Sequence, residues 1–175
     1  VIKHTAVGVA ALAASLLLAV PPQAASAAEA AQTYSTHAYI TQYGWPDNSG
    51  ETEEVHGGNL IAYPVIHSSA GGRGTYSNPR TFASDEREFP VGTRIYVPAF
   101  HLYYIMEDQC VECESDWSGG KRHIDLWIGG NGTDDDAVLA CEDKWTRDSG
   151  RILVNPPAGL PVGPPLYARW RGGCL

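Results

Sequence analysis

The sequence predicts a mostly β domain with one short helix and a Pro/Gly-rich C-terminal arm. Three observations carry that expectation. The run His123–Ile128 alternates with period two, placing Ile124, Leu126 and Ile128 on one face and His123, Asp125 and Trp127 on the other. Two β-rich runs, Thr93–Val97 and Leu102–Glu107, come just before it, parted by turn residues. After Asn155 the chain reads PPAGLPVGPP, a stiff, extended composition that builds no core of its own.

The elements follow in order. Lys3 and His4 precede an apolar run, Ala6–Val20, then Pro21-Pro22 and Ala25-Ser26-Ala27. A basic start, a hydrophobic middle and a small-residue cleavage site describe a secretory signal peptide over residues 1–27. The product is then expected to be secreted, extracellular and free of the membrane after signal cleavage. Residues 28–36 are small and polar and are expected to be a flexible N-terminus. His37–Tyr43 forms the first strand, with Tyr39, Thr41 and Tyr43 on one side. Gly44–Gly50 breaks it with strong turn chemistry and leaves Trp45 and Asp47 at a strand exit, where functional loops gather. Asp47 there either caps the turn or takes part in chemistry.

Asn59–His67 is apolar but interrupted by Pro64, which suits short pieces or an edge strand. Ser68–Gly74 lacks the Lys and following helix of a phosphate cradle, so a nucleotide site is set aside. Thr81–Ala83 is a short strand leading into Asp85, and Gln109–Ser118 reads as a loop bearing Cys and acidic residues. The one helix is expected to start at Thr133 as N-cap, with Asp136 three residues on and Val138, Cys141 and Trp145 inward. Ile152–Val154 closes a single domain over 37–155, leaving a tail over 156–175.

A net charge of -8 argues against nucleic acid or an anionic membrane as partner. Five Trp and nine Tyr against three Phe favour side chains with an apolar body and a polar tip, which suit wet binding surfaces. The four cysteines, Cys110, Cys113, Cys141 and Cys174, are even in number and imply two disulfides, with three pairings open. Long-range pairs are favoured, because Cys174 at the penultimate position is useful if it pins the tail. The Cys110–Cys113 spacing also suits zinc or a redox dithiol. Zinc lacks a second close-spaced pair, and the redox motif wants a helix starting after a strand within a βαβ unit, which is missing here. Neither a metal nor a cofactor is expected, and the protein is taken as a monomer.

Asp85, then Phe89–Thr93 (FPVGT) with Ile95-Tyr96-Val97, then Glu107-Asp108, Gly120 and His123–Leu126 (HIDL) together resemble the bacterial three-aspartate domain. The match covers about 45 residues and departs from the family at the inserted segment Gln109–Ser118. The same core is similar to the wider double-psi β-barrel group of lytic transglycosylases, rare lipoprotein A, expansins and barrel endoglucanases. Thr41–Gly44 (TQYG) is similar to the first strand of expansins. The expansin cysteine framework is not matched. The resemblance implies a six-stranded double-psi β-barrel with an open polysaccharide groove, and it puts Asp125 in the position of a general acid.

A carboxyl group beside aromatic rings also suits a sugar chain on chemical grounds, as an acid for the glycosidic oxygen and a plate for the ring. The expected function is therefore a secreted protein that cleaves a cell-wall glycan, a polysaccharide or peptidoglycan. Asp125, Asp108, Asp85 and Asp47 are the candidate catalytic carboxylates, and Tyr43, Trp45, Trp117, His123 and Trp127 the candidate substrate contacts. Two other classes stay open: a non-catalytic, expansin-like binding or wall-loosening module, and a protease inhibitor on a barrel scaffold.

Overall fold

Alternating side chains along short strands leave one apolar face per strand, and closing those faces on one another removes every sheet edge. The computed structural model describes residues 1, 32–48, 57–171 and 173–175. The chain divides into Val1–Ala30 and Ala31–Leu175, and only the second unit is described in detail. The signal-peptide assignment, beyond Val1, lies outside the described residues.

Six strands close a barrel: β1 (Tyr34–Gly44), β2 (Arg80–Ser84), β3 (Arg94–Val97), β4 (Leu102–Gln109), β5 (His123–Gly129) and β6 (Arg147–Val154). Their order around it is β1-β5-β2-β4-β3-β6. β1 runs parallel to β5 and β2 parallel to β4, while the remaining neighbours are antiparallel. The mostly β class and the six-stranded barrel agree with the sequence expectation. Ile40, Phe82, Ile95, Leu102, Tyr104, Met106, Ile124, Leu126, Ile128 and Ile152 fill the interior. At roughly 1.5–3 kcal/mol for each fully buried large apolar side chain, that interior is the main stabilising term.

Several expectations need correcting. β1 begins at Tyr34 rather than His37, because Tyr34 pairs with Val154 and Thr36 with Ile152, so residues 34–36 are strand and not flexible N-terminus. Among the described residues there are two α-helices, not one. α1 (Val111–Ser118) replaces the expected loop, with Cys110 as its N-cap. α2 (Asp135–Trp145) is capped by Asp134, whose carboxylate accepts from the Asp136 and Ala137 amides, and not by Thr133. Val138 and Cys141 face inward from α2 as expected, but so does Glu142.

The disulfides join Cys110 to Cys113 and Cys141 to Cys174. The second pins the tail. The first spans only three residues, against the preference for long-range pairs, because α1 brings its N-cap and third residue together. The Pro/Gly arm lies along the barrel: Tyr103 donates to the Pro157 carbonyl, and Tyr96 to that of Pro161. It ends in a two-stranded ribbon, β7 (Tyr167–Ala168) and β8 (Gly173–Cys174).

Candidate functional site

Register on the barrel wall decides which side chains meet. Thr41 of β1 lies opposite Asp125 of β5, Asp125 opposite Ala83 of β2, and Ala83 opposite Asp108 of β4. One row thus crosses four strands and carries two carboxylates with a small Ala between them. At Ala83 the lack of a larger side chain leaves space, and a cleft of about 750 Å³ opens there. β1 and β5 line its floor with Tyr39, Thr41, Tyr43, His123 and Asp125. Asp47 and Asn48 after β1, and Cys110, Val111, Glu112 and Asp116 of the α1 segment, form its walls. The Gln109–Ser118 segment is therefore a wall of the cleft.

Asp125 is partly exposed on this floor. Desolvation pushes its carboxyl up to about 7, against the pull of one hydrogen bond from Thr41 Oγ1 at 2.8 Å. The Asp47, Glu112 and Asp108 charges push the same way. Thr41 Oγ1 also lies 2.8 Å from His123 Nε2. The imidazole is buried, which lowers its pKa, and Asp116 only partly offsets this. His123 Nδ1 sits 2.8 Å from Asp116 Oδ2, and Lys121 holds the same carboxylate oxygen at 2.9 Å.

With Nδ1 facing a carboxylate, the proton of a neutral ring belongs on Nδ1, so Nε2 is an acceptor. Thr41 has one hydroxyl hydrogen for two neighbours. When Asp125 is ionised, that hydrogen goes to its carboxylate and favours the charged form; when Asp125 is protonated, it donates to Thr41 and frees the hydroxyl hydrogen for His123. A protonated Asp125 and a neutral His123 thus form one consistent hydrogen-bonded state, in line with the directions of both pKa shifts.

Asp47 stands at the cleft edge with Oδ1 accepting from the Gly44 amide at 2.8 Å. It pairs with Glu142 of α2, a carboxyl the sequence reading did not single out. Burial, then the Asp47 charge, pushes Glu142 up to about 8. Burial raises Asp47 as well, less strongly. The more enclosed Glu142 keeps the proton of the pair and Asp47 carries the charge. Glu142 had a signal in sequence: Val138, Cys141, Glu142 and Trp145 share the i, i+3, i+4, i+7 stripe of a helix face. Tyr39 and Thr41 had one too, since they alternate with Tyr43 on β1.

The other expected site residues lie elsewhere. Asp108 is buried, and its carboxylate accepts from Tyr43 Oη and from the Ala62 and Gln109 amides, all at 2.9 Å, so it ties the 59–62 segment to β4. Asp85 is buried outside the cleft, and the Arg87 side chain and amide hold its pKa down. Trp127 is only 4% exposed and packs with Tyr43, Ala83, Cys110 and Cys113, behind the cleft rather than in it. Trp45 packs against that same cluster, and the Trp117 ring lies 5.8 Å from the Arg122 guanidinium. Among the described residues, the rings that reach the cleft are Tyr39, Tyr43 and His123.

The model of the DDB_G0273701 N-terminal domain family matches residues 35–175, from the start of β1 to the last residue. The chain belongs to this family. It is a different family from the three-aspartate domain that the central stretch resembles. A Dictyostelium discoideum protein described as uncharacterized protein DDB_G0273701/DDB_G0273221 is 42% identical over 138 residues, covering 78% of this chain. The match spans 58% of that protein's own length. No solved structure matches the chain. Among the described residues, no helix is long and apolar enough to cross a membrane.

Proposed function

We propose that this is an exported polysaccharide-active protein that cleaves a cell-wall glycan, with Asp125 as general acid. The reading takes the barrel as one of the double-psi kind, and the two parallel pairs within a closed six-stranded sheet support that. One observation carries the reading: a carboxyl group on the floor of an open cleft, desolvated enough to keep its proton near neutral pH. Such a group can protonate a glycosidic oxygen as the bond breaks. Asp47, kept charged by its pairing with Glu142, is the candidate to take a proton from water, which would complete hydrolysis with two carboxyls of opposite state. If water is not activated, a hydroxyl of the sugar itself attacks, as in a transglycosylase. Tyr39 and Tyr43 replace the indoles as ring-facing surfaces.

The test is release of new reducing ends from peptidoglycan and from plant-type polymers, with retention on the insoluble glycan measured in parallel. Asp125→Asn is expected to lower the rate by about 10²–10⁴-fold. Because the acid must be protonated, wild-type activity is expected to fall as pH rises through about 7. An Asp125→Asn rate equal to wild type would overturn the assignment. Retention without new ends from the wild type would leave the binding, expansin-like reading in its place.

A further inference from the structure

The sequence does not announce a helix starting after a strand within a βαβ unit at Cys110. The structure supplies the helix start but not the βαβ unit, since β4 and β5 are not neighbours around the barrel. β4 runs directly into α1, Cys110 is the N-cap, and Cys113 is the third residue of the first turn. The Cys113 amide donates to Cys110 Sγ at 3.0 Å, so one of the unpaired N–H groups of the helix start already points at this sulfur. The two sulfurs differ in access. Cys110 is 5% exposed and lines the cleft, whereas Cys113 is fully buried. A ring nitrogen of His123 and both sulfurs lie within 4.8 Å of one another, and His123 Nδ1 also faces Asp116 Oδ2 at 2.8 Å.

We propose that Cys110–Cys113 is a thiol–disulfide exchange site open to peptide and small-molecule thiols through the cleft. An incoming thiolate attacks Cys110 Sγ, the reachable sulfur. The disulfide bond breaks and its electron pair leaves on Cys113 Sγ, which takes up a proton by way of His123. A second thiolate then attacks the outer sulfur of the mixed disulfide, releasing the substrate disulfide and Cys110 as thiolate. Two thiols give two electrons to the protein disulfide and two protons to solvent and the imidazole, and the same two protons complete the dithiol at Cys110 and Cys113. Glu112 and Glu114 in the first turn of α1 oppose a thiolate there. Destabilising the reduced, ionised form makes the disulfide harder to reduce, so the equilibrium favours these steps in reverse, with the dithiol giving its two electrons to an incoming disulfide.

The exchange is independent of the glycan reading and is measured without a glycan. The folded wild-type chain is equilibrated in a series of reduced and oxidised glutathione, quenched with a thiol-alkylating reagent and mapped by mass spectrometry. Reversible labelling of Cys110 and Cys113 together is expected. Cys113→Ser is expected to trap glutathione, or a cysteine peptide, on Cys110, and Cys110→Ser to trap neither on Cys113. Glu112→Gln with Glu114→Gln, both helix-surface changes, is expected to shift the glutathione equilibrium roughly two- to fivefold toward the dithiol. If Cys110 and Cys113 are labelled only after denaturation, the pair is structural and the proposal is wrong. Equal trapping on either cysteine would overturn the assignment of Cys110 as the attacked sulfur.

Discussion

At the scale of residues, Asp125 ties stability to pH in a definite direction. Its pKa in the unfolded chain is about 3.9, and burial raises it to about 7 in the fold. The neutral carboxyl therefore favours folding in full below about pH 4, and that contribution is lost as pH rises through about 7. Glu142 acts in the same sense up to about 8. Asp125→Asn keeps the position neutral, so the variant is expected to melt above wild type at pH 8, by the equivalent of about 1–2 kcal/mol after allowing for screening in an open cleft. At pH 4 the two should coincide. A melting difference that does not change with pH would mean the carboxyl is not desolvated. Thr41→Val removes the donor that lowers the Asp125 pKa, so the Asp125 carboxyl carbon is expected to titrate at higher pH in the variant, as read by NMR. The HIDL run made Asp125 and His123 legible in sequence, and period two put Thr41 on one side of β1 with Tyr39 and Tyr43, but the pairing of β1 with β5 that sets it opposite Asp125 was not. The parting of Trp127 from Asp125 was not legible. Alternation places the two on one face of β5, but only the closing of the barrel and α1 over Tyr43 and Trp127 decides which of them reaches water.

At the scale of elements, the contact between β1 and α2 is the tightest constraint on the cleft edge. A Cβ at Gly44 would stand 2.7 Å from Glu142 Oε1 and Val138 Cγ1 and 2.8 Å from the Gly129 carbonyl. Backbone and a packed Val cannot both retreat, so Gly44→Ala is expected to cost about 1–3 kcal/mol in a denaturant melt. It should also disturb the Asp47–Glu142 pair. A stability unchanged from wild type would show that α2 can slide on β1. The start of α2 was visible in the run of acidic residues but assigned one position early, because Thr133 and Asp134 are both good caps and only backbone geometry chooses between them. α1 was missed for a plainer reason. Cys113 is its one buried residue, and its other positions are polar or solvent-facing, so it has no apolar stripe for a period of 3.6 to reveal.

At the scale of the whole molecule, the two disulfides serve different parts of one scaffold. Cys110–Cys113 closes a single helical turn at the cleft, where loop closure contributes little entropy. Cys141–Cys174 closes 33 residues of sequence and holds the arm against the barrel, where a cross-link restrains the unfolded chain far more. The position of Cys174 predicted this role from sequence, whereas the Tyr96 and Tyr103 hydroxyls that receive the arm could not be foreseen, because their partners are carbonyls of a segment without a pattern. Cys174→Ser is therefore expected to lower unfolding free energy by about 2–4 kcal/mol and to expose the 156–175 segment to proteolysis. The row Thr41–Asp125–Ala83–Asp108 belongs to strands that the arm does not pair with. In the Cys174→Ser variant, below its melting temperature, Asp125 should then titrate as in wild type. If losing the pin moves that titration, the arm takes part in shaping the cleft, and the barrel alone does not hold the site.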